Sequence, residues 1–111
     1  MAAVNTYADI VERVLDVYTK VPYAHGDLTC EAVFDLQRRR YVLMTLGWDD
    51  DERVHHPLVH IDIINDKLWI QTDNTEHGVA PELVDAGIPK SNIVLAFRPP
   101  EVRKHTEYAV A

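Results

Sequence analysis

Within residues 54–72, an apolar side chain occurs at every second position of 59–63 and 68–70, on either side of Asn65-Asp66. Both residue types tolerate positive φ and are favoured in two-residue turns. Side chains of a strand point alternately to its two faces, so we predict a hairpin with one apolar and one mixed face. The apolar face has Val59, Ile61 and Ile63, and the mixed face has His56, Leu58, His60, Asp62, Trp69 and Gln71. The predicted partners are Ile63–Leu68, Ile61–Ile70, Asp62–Trp69 and His60–Gln71.

A second hairpin is predicted from strands at residues 28–35 and 40–48, with residues 36–40 as the connection. Placing Phe34 opposite Val42 makes apolar residues of both strands meet on one face. In that register Tyr41, Leu43 and Thr45 belong to the opposite, exposed face.

Two segments have helical patterns. Residues 6–19 repeat apolar side chains at i, i+3, i+4 and i+7; Asn5 or Thr6 can cap this helix, and Pro22 closes it. Residues 81–87 begin with proline and end with glycine, which indicates a short helix. Residues 93–97 are continuously apolar and indicate a short buried strand, and Pro99-Pro100 begins a last helical turn or loop.

These elements predict one α+β domain over residues 1–111. It has a four-stranded antiparallel sheet of two hairpins, an N-terminal helix, a second short helix and a short C-terminal strand. The chain of 111 residues has room for one compact domain, and 47% hydrophobic and 26% charged residues indicate a folded one.

Composition limits the cellular location and the kind of partner that we expect. No apolar run is long enough for a membrane helix, and the N-terminus lacks a signal-peptide pattern. The single cysteine, Cys30, fits a reducing cytoplasm and a buried position. The net charge of −7 makes the chain a poor stand-alone DNA binder, although basic groups occur at residues 38–40 and at Arg98, Arg103 and Lys104.

Candidate chemistry is sparse. His60 and Asp62 share a strand face, where they could bind a metal or orient an imidazole, but a structural or interface role is favoured because no further ligands occur at tight spacing. The acidic residues 49–52 are read as a solvent-facing turn rather than a divalent-ion site. Glu76 and His77 fit a turn as well as an acid–base pair. We assign no catalytic, cofactor-binding or metal-binding residue and expect a non-catalytic binding or regulatory domain.

The mixed sheet face is the candidate interaction surface, because large amphipathic side chains are favoured at interfaces. Two readings stay open: the face binds a partner or a second copy, or the C-terminal segment of the same chain covers it. The candidate residues are Tyr41, Leu58, His60, Asp62, Trp69 and Gln71.

Several strings resemble the XisI family, the fdxN element excision controlling factors found mainly in cyanobacteria. They are VPYAHGD at residues 21–27, YVLM and GWD at 41–49, VHIDII at 59–64, KLWIQ at 67–71, and the closing GIPK, IVLAFR and TEYAV between 87 and 110. The chain departs from the family at Asp50, where glycine is common after Trp-Asp, and at Asn74, where Asp-Gly-Thr-Glu is common. Asn74 can preserve its turn if it adopts positive φ.

The resemblance implies a role in programmed excision of a DNA element during heterocyst differentiation, in which a separate recombinase cuts and joins. XisI proteins usually accompany XisH, whose family looks nuclease-like, and no catalytic residues are established for XisI to carry over. The first expectation is therefore a cytoplasmic regulator that binds an XisH-type protein, as an antitoxin-like inhibitor would in one version, with Trp69→Ala weakening the complex. A DNA-binding accessory factor, a metalloprotein at His60 and Asp62, and a homodimer remain alternatives.

Overall fold

The computed structural model describes residues 2–21 and 27–111, with side chains from residue 7 onward. Three α-helices, one 3₁₀ turn and five strands follow one another in these residues. The order is α1 Ala2–Thr19, β1 Asp27–Asp35, β2 Arg40–Asp49, β3 Glu52–Ile64, β4 Lys67–Asp73, α2 Ala80–Asp85, the 3₁₀ turn Lys90–Asn92, β5 Ile93–Leu95 and α3 Pro100–Arg103.

The strands form one sheet in the order β1-β2-β3-β4-β5. The first four pair antiparallel with their sequence neighbours, and β5 pairs parallel to β4 after the crossover through α2. The predicted α+β domain of two hairpins, two helices and a short last strand is confirmed.

The β3–β4 hairpin has the predicted turn, with Asn65 at φ 51° and Asp66 at φ 64°. Ile63 lies opposite Leu68, Ile61 opposite Ile70, and Asp62 opposite Trp69, as predicted. The fourth predicted pair is wrong: His60 lies opposite Thr72, because a β-bulge leaves Gln71 without a partner across the strands.

The predicted register of the β1–β2 hairpin is wrong by one residue. Phe34 lies opposite Tyr41 rather than Val42, and Asp35 opposite Arg40. The connection is the four-residue turn 36–39, in which Arg39 has φ 57°, instead of the five residues expected. Because a one-residue shift exchanges the two faces of a strand, Tyr41, Leu43 and Thr45 are buried and not exposed.

The core lies between α1 and one face of the sheet, which we call face A. Val11 and Leu15 of α1 are fully buried in this core. The sheet contributes side chains from all five strands, among them Cys30, Leu43, Ile61, Ile70 and Ile93. Tyr18 of α1 donates a hydrogen bond to Glu82, and Asn92 donates one to the Tyr7 hydroxyl at 2.6 Å. The opposite face, which we call face B, has no helix of comparable length over it in the described residues.

Some predicted ends differ from the structure. The first helix begins at Ala2 rather than residue 6, so residues 5 and 6 are not its caps, and Pro22 lies outside the described residues. The last strand ends at Leu95, and Phe97 is exposed. None of the helices in the described part of the chain is both long and apolar enough to span a bilayer.

Gly47→Ala tests a close approach between β1 and β2. Gly47 has φ 142°, and a Cβ there would lie 1.9 Å from the Asp27 carbonyl oxygen. We expect a loss of about 3 kcal/mol or more of unfolding free energy, because backbone must shift. Gly78→Ala is the control: its φ is 84° but its nearest neighbours are at ordinary contact distance, so about 1–2 kcal/mol is expected. Equal losses in urea denaturation would contradict this explanation.

Cys30 provides a second test of the fold. Burial raises the pKa of its thiol, so less of the reactive thiolate is present at a given pH than in the unfolded chain. We expect a thiol-modifying reagent near pH 8 to react much more slowly with the folded protein than with the protein in guanidinium. Equal rates would mean that α1 does not cover β1 as described.

Candidate functional site

A buried carboxylate on face B is the centre of the main polar cluster. The Asp62 side chain is 8% exposed, and its Oδ2 lies 3.0 Å from Nη1 of Arg40. His60 Nε2 lies 2.8 Å from Asp62 Oδ1, and the Gln71 amide donates to Oδ2 at 3.3 Å. Both oxygens of the carboxylate are therefore satisfied, as a buried charge requires.

Three strands bring these residues together. Arg40 is the first residue of β2 and lies directly opposite Asp62 in β3. His60 lies two residues before Asp62 on the same face of β3. Gln71 reaches the carboxylate from the bulge of β4, and a bulge commonly re-aims a side chain in this way. The sequence predicted His60, Asp62 and Gln71 on one face, but it placed Arg40 in a solvated hairpin tip.

The cluster is suited to holding three strands in register rather than to acid–base chemistry. Asp62 is engaged by a cation and two further hydrogen-bonding groups, and its side chain is only 8% exposed. A buried ion pair with complete hydrogen bonding gives little net stability but penalises alternative pairings. Removing one partner leaves the others unsatisfied, which is costly.

Trp69, the next residue in this row of face B, is covered by the C-terminal segment, residues 96–111. The Arg103 guanidinium lies 5.7 Å from the Trp69 ring centroid. The same guanidinium donates to the carbonyls of Leu95, Ala96, Arg98 and Val110. Val94, opposite Trp69 in β5, is fully buried. At this end of face B, the chain covers itself.

The six residues predicted as an interaction face are thus divided. His60, Asp62, Trp69 and Gln71 lie together on face B. Tyr41 is 1% exposed and lies in the core on face A, so its assignment to the exposed face is wrong. Leu58 is half-buried and packs against the core cluster, because a second bulge makes it the extra residue of β3 opposite Leu43 and Met44.

A different part of face B is open. Along β1 and β2, apolar side chains form a strip on face B, and no helix of the described chain covers it. Val33 is 57% and Trp48 is 50% exposed. We call this the apolar strip, and its residues are Val33, Val42, Met44, Leu46 and Trp48. The sequence assigned Val42, Met44, Leu46 and Trp48 to the other face, so it missed this surface.

The remaining candidates have no special surroundings. Asp50 and Asp51 form an exposed turn between β2 and β3. His77 Nε2 and Glu76 Oε1 are 4.0 Å apart, and their side chains are 90% and 89% exposed. Among the described residues, no three His, Cys, Asp or Glu side chains lie close enough together to hold a metal ion.

The family model of the XisI protein matches residues 1–110. The chain belongs to the XisI family. The crystal structure of a XisI-like protein from Anabaena variabilis ATCC 29413 has 31% sequence identity and a TM-score of 0.88, covering 97% of this chain and 99% of that one. The fdxN element excision controlling factor XisI from the same strain has 30% identity and a TM-score of 0.83, over 98% and 99% of the two chains. No curated protein matches the chain.

The two departures from the family pattern have different structural consequences. Asp50 has φ 55°, a conformation that favours glycine, so the common family residue suits this backbone. Asn74 is not among the residues with positive φ, so the turn here does not depend on that conformation. Its N–H donates to the Leu58 carbonyl at 2.8 Å and its amide to the Pro57 carbonyl at 3.0 Å, while Asp73 receives the N–H groups of Thr75 and Val79.

Asp62→Asn tests the polar cluster. The substitution removes the charge that Arg40 and His60 contact, while it preserves size. We expect a loss of about 1–3 kcal/mol of unfolding free energy, measured by urea denaturation. Asp51→Asn, in the exposed turn, is the control and should be near neutral. If the two variants were equally stable, the cluster would not hold the strands.

Proposed function

We propose that this XisI-family protein is a non-catalytic, cytoplasmic regulator that controls excision of a DNA element in heterocyst differentiation by binding an XisH-type protein. The observation that carries the proposal is the match over residues 1–110 together with the likeness to an fdxN element excision controlling factor. The open apolar strip and the acidic charge of −7 support action through a protein partner.

The positive charges are largely occupied within the chain. Carboxylates or carbonyls of the same molecule accept from most basic side chains, and these acceptors compete with phosphate for the cations. The pairs are Lys20–Asp16, Arg38–Asp35, Arg40–Asp62 and Lys90–Glu107, with Arg53 on the Gly47 carbonyl and Lys67 on the Ala111 carbonyl. This usage favours a protein partner over DNA.

An acidic regulator of this kind can act as an antitoxin-like inhibitor of a nuclease. A nuclease requires a positive surface for its substrate, and an acidic domain can occupy that surface. Charge complementarity would accelerate the association and make its rate sensitive to salt.

One observation favours direct DNA binding as the second candidate. Arg40 and Arg103 come from the two basic segments; Arg40 lies opposite Asp62, and Arg103 lies over Trp69, the other neighbour of Asp62 in the same row of face B. A mobility-shift assay on element-border DNA at low salt tests this candidate. A shift that disappears in Lys104→Ala or Arg98→Ala would support it, and no shift would remove it.

Trp48→Ala tests the protein-binding proposal. Trp69 is covered by Arg103, so the exposed Trp48, stacked under Arg53 at 5.5 Å, is the better probe of the open surface. We expect the dissociation constant of the complex with the XisH-type protein to rise about tenfold or more, because exposed tryptophans are frequent hot spots.

Phe97→Ala is the matched control for this measurement. Phe97 is an exposed aromatic residue stacked by Arg98 at 5.2 Å, and it lies outside the apolar strip. Isothermal titration of the wild type and both variants gives the comparison. Equal affinities of all three would exclude the strip from the interface.

A further inference from the structure

The two edge strands of the sheet, β1 and β5, differ in whether another segment pairs with their outer side. β5 has only three residues, and its outer side is closed by Ala109, which bridges to Val94 and donates its N–H to the Ile93 carbonyl at 2.9 Å. β1 is a nine-residue edge strand that pairs only with β2. Within the residues that the structure describes, no other segment makes a backbone hydrogen bond to β1.

The ladder alternation shows which groups of β1 are free. Ile63 of β3 donates its N–H to the carbonyl of Arg39, the residue before β2, at 3.1 Å. Backbone groups alternate in direction along a strand, so the odd-numbered residues of β2 direct theirs to β3 and the even-numbered ones to β1. Because Asp35 pairs with Arg40, the odd-numbered residues of β1 face β2. The N–H and C=O groups directed outward belong to Leu28, Cys30, Ala32 and Phe34.

β1 lacks three of the features that keep edge strands from pairing with other chains. Its sequence DLTCEAVFD contains no proline and no lysine, and its nine pairs with β2 have no register shift. Its charged side chains are all carboxylates, which would repel an acidic strand and admit a basic one. An edge without those three features can accept an added strand through main-chain hydrogen bonds.

The surroundings of the edge specify the chemistry of that strand. A cavity of about 230 Å³ between α1 and β1 is lined by Glu12, Arg13, Asp16 and Phe34. A neighbouring cavity of about 220 Å³ includes Asp9, Glu12 and Arg39 in its lining. Asp16 is paired with Lys20 at 2.9 Å, whereas half-buried Glu12 has no hydrogen-bond or ion-pair partner among the described residues.

Side chains that an added strand directs toward α1 would enter these cavities. On face B of β1, Asp27 and Glu31 are exposed. Carboxylates without a partner among the described residues border the edge on both sides and outnumber the two arginines of the cavity linings, Arg13 and Arg39. They favour lysine or arginine at alternate positions of the added strand. A second copy of this chain would instead bring two acidic edges together.

We propose that β1 is a docking edge for an extended, basic segment of a partner protein, which adds to the sheet as a sixth strand. Its alternate basic side chains reach Glu12 in the cavity beneath α1. The inference deepens the proposed function and rests on it for the identity of the partner.

Ala32→Pro is the first test. It removes an outward N–H without removing a bond of the β1–β2 ladder, and proline is tolerated at such edge positions. Ala32→Ser retains the N–H and is the matched control. With the XisH-type protein, we expect Ala32→Pro to bind at least about tenfold more weakly than Ala32→Ser, with both variants melting at the same temperature. Glu12→Gln, which leaves the backbone unchanged, should weaken binding and reduce its salt dependence.

A second test needs no natural partner. A short peptide that alternates lysine with valine is titrated into the ¹⁵N-labelled protein, and the same peptide with glutamate in place of lysine is the control. We expect the lysine peptide to shift the amide signals of Cys30, Ala32 and Phe34, and the glutamate peptide to leave them unchanged.

The outcomes separate the two proposals. If the wild type forms no complex with the XisH-type protein but the lysine peptide shifts these amides, the proposed function fails and the docking edge stands. If the complex forms and Ala32→Pro binds as well as Ala32→Ser, the docking edge fails alone. Equal shifts from both peptides, or none, would also overturn it. A wild-type dimer that Ala32→Pro dissociates would assign the edge to a second copy and overturn the basic segment.

Discussion

The pairing of β3 with a neighbour on each side is the constraint on which the remaining structure depends. This thirteen-residue strand pairs with β2 and β4 and directs Val59, Ile61 and Ile63 to the core. The same alternation directs Asp62 to the other face, where a charge must find partners. Arg40 from β2 and Gln71 from β4 supply them, so the buried carboxylate connects the two hairpins that the hydrophobic pattern alone would leave independent.

The sequence predicted the β3–β4 hairpin because two signals agreed there. Asn65-Asp66 favours a short turn with positive φ, and only one of the two faces is wholly apolar. The β1–β2 hairpin offered no such agreement. Both faces of β2 are apolar, with Tyr41 and Leu43 on one and Val42 and Met44 on the other, and the turn between residues 36 and 39 contains no glycine or asparagine. A register shifted by one residue therefore fits the hydrophobic pattern as well as the true register does.

The same error hid part of the candidate site. With a connection over residues 36–40, Arg40 falls in the hairpin tip, so its pairing with Asp62 could not be anticipated. The β2 residues of the apolar strip, Val42, Met44, Leu46 and Trp48, were likewise assigned to the core face. Bulges are a second physical limit on prediction from sequence, because the alternation of residue types does not show that Gln71 and Leu58 are displaced. That displacement determines which side chains reach Asp62 and which pack against the core.

Charge and edge structure together support the proposed regulatory role. Most basic groups have acceptors within the chain, and the C-terminal segment closes one edge of the sheet. In the described residues, the other edge remains unpaired beside carboxylates that have no partner. The direct measurement is the mass of the species formed with the XisH-type protein, by light scattering after size exclusion, with and without element-border DNA. A stable complex without DNA is the predicted result. Two separate proteins in the absence of DNA, with this chain shifting onto DNA by itself, would contradict it.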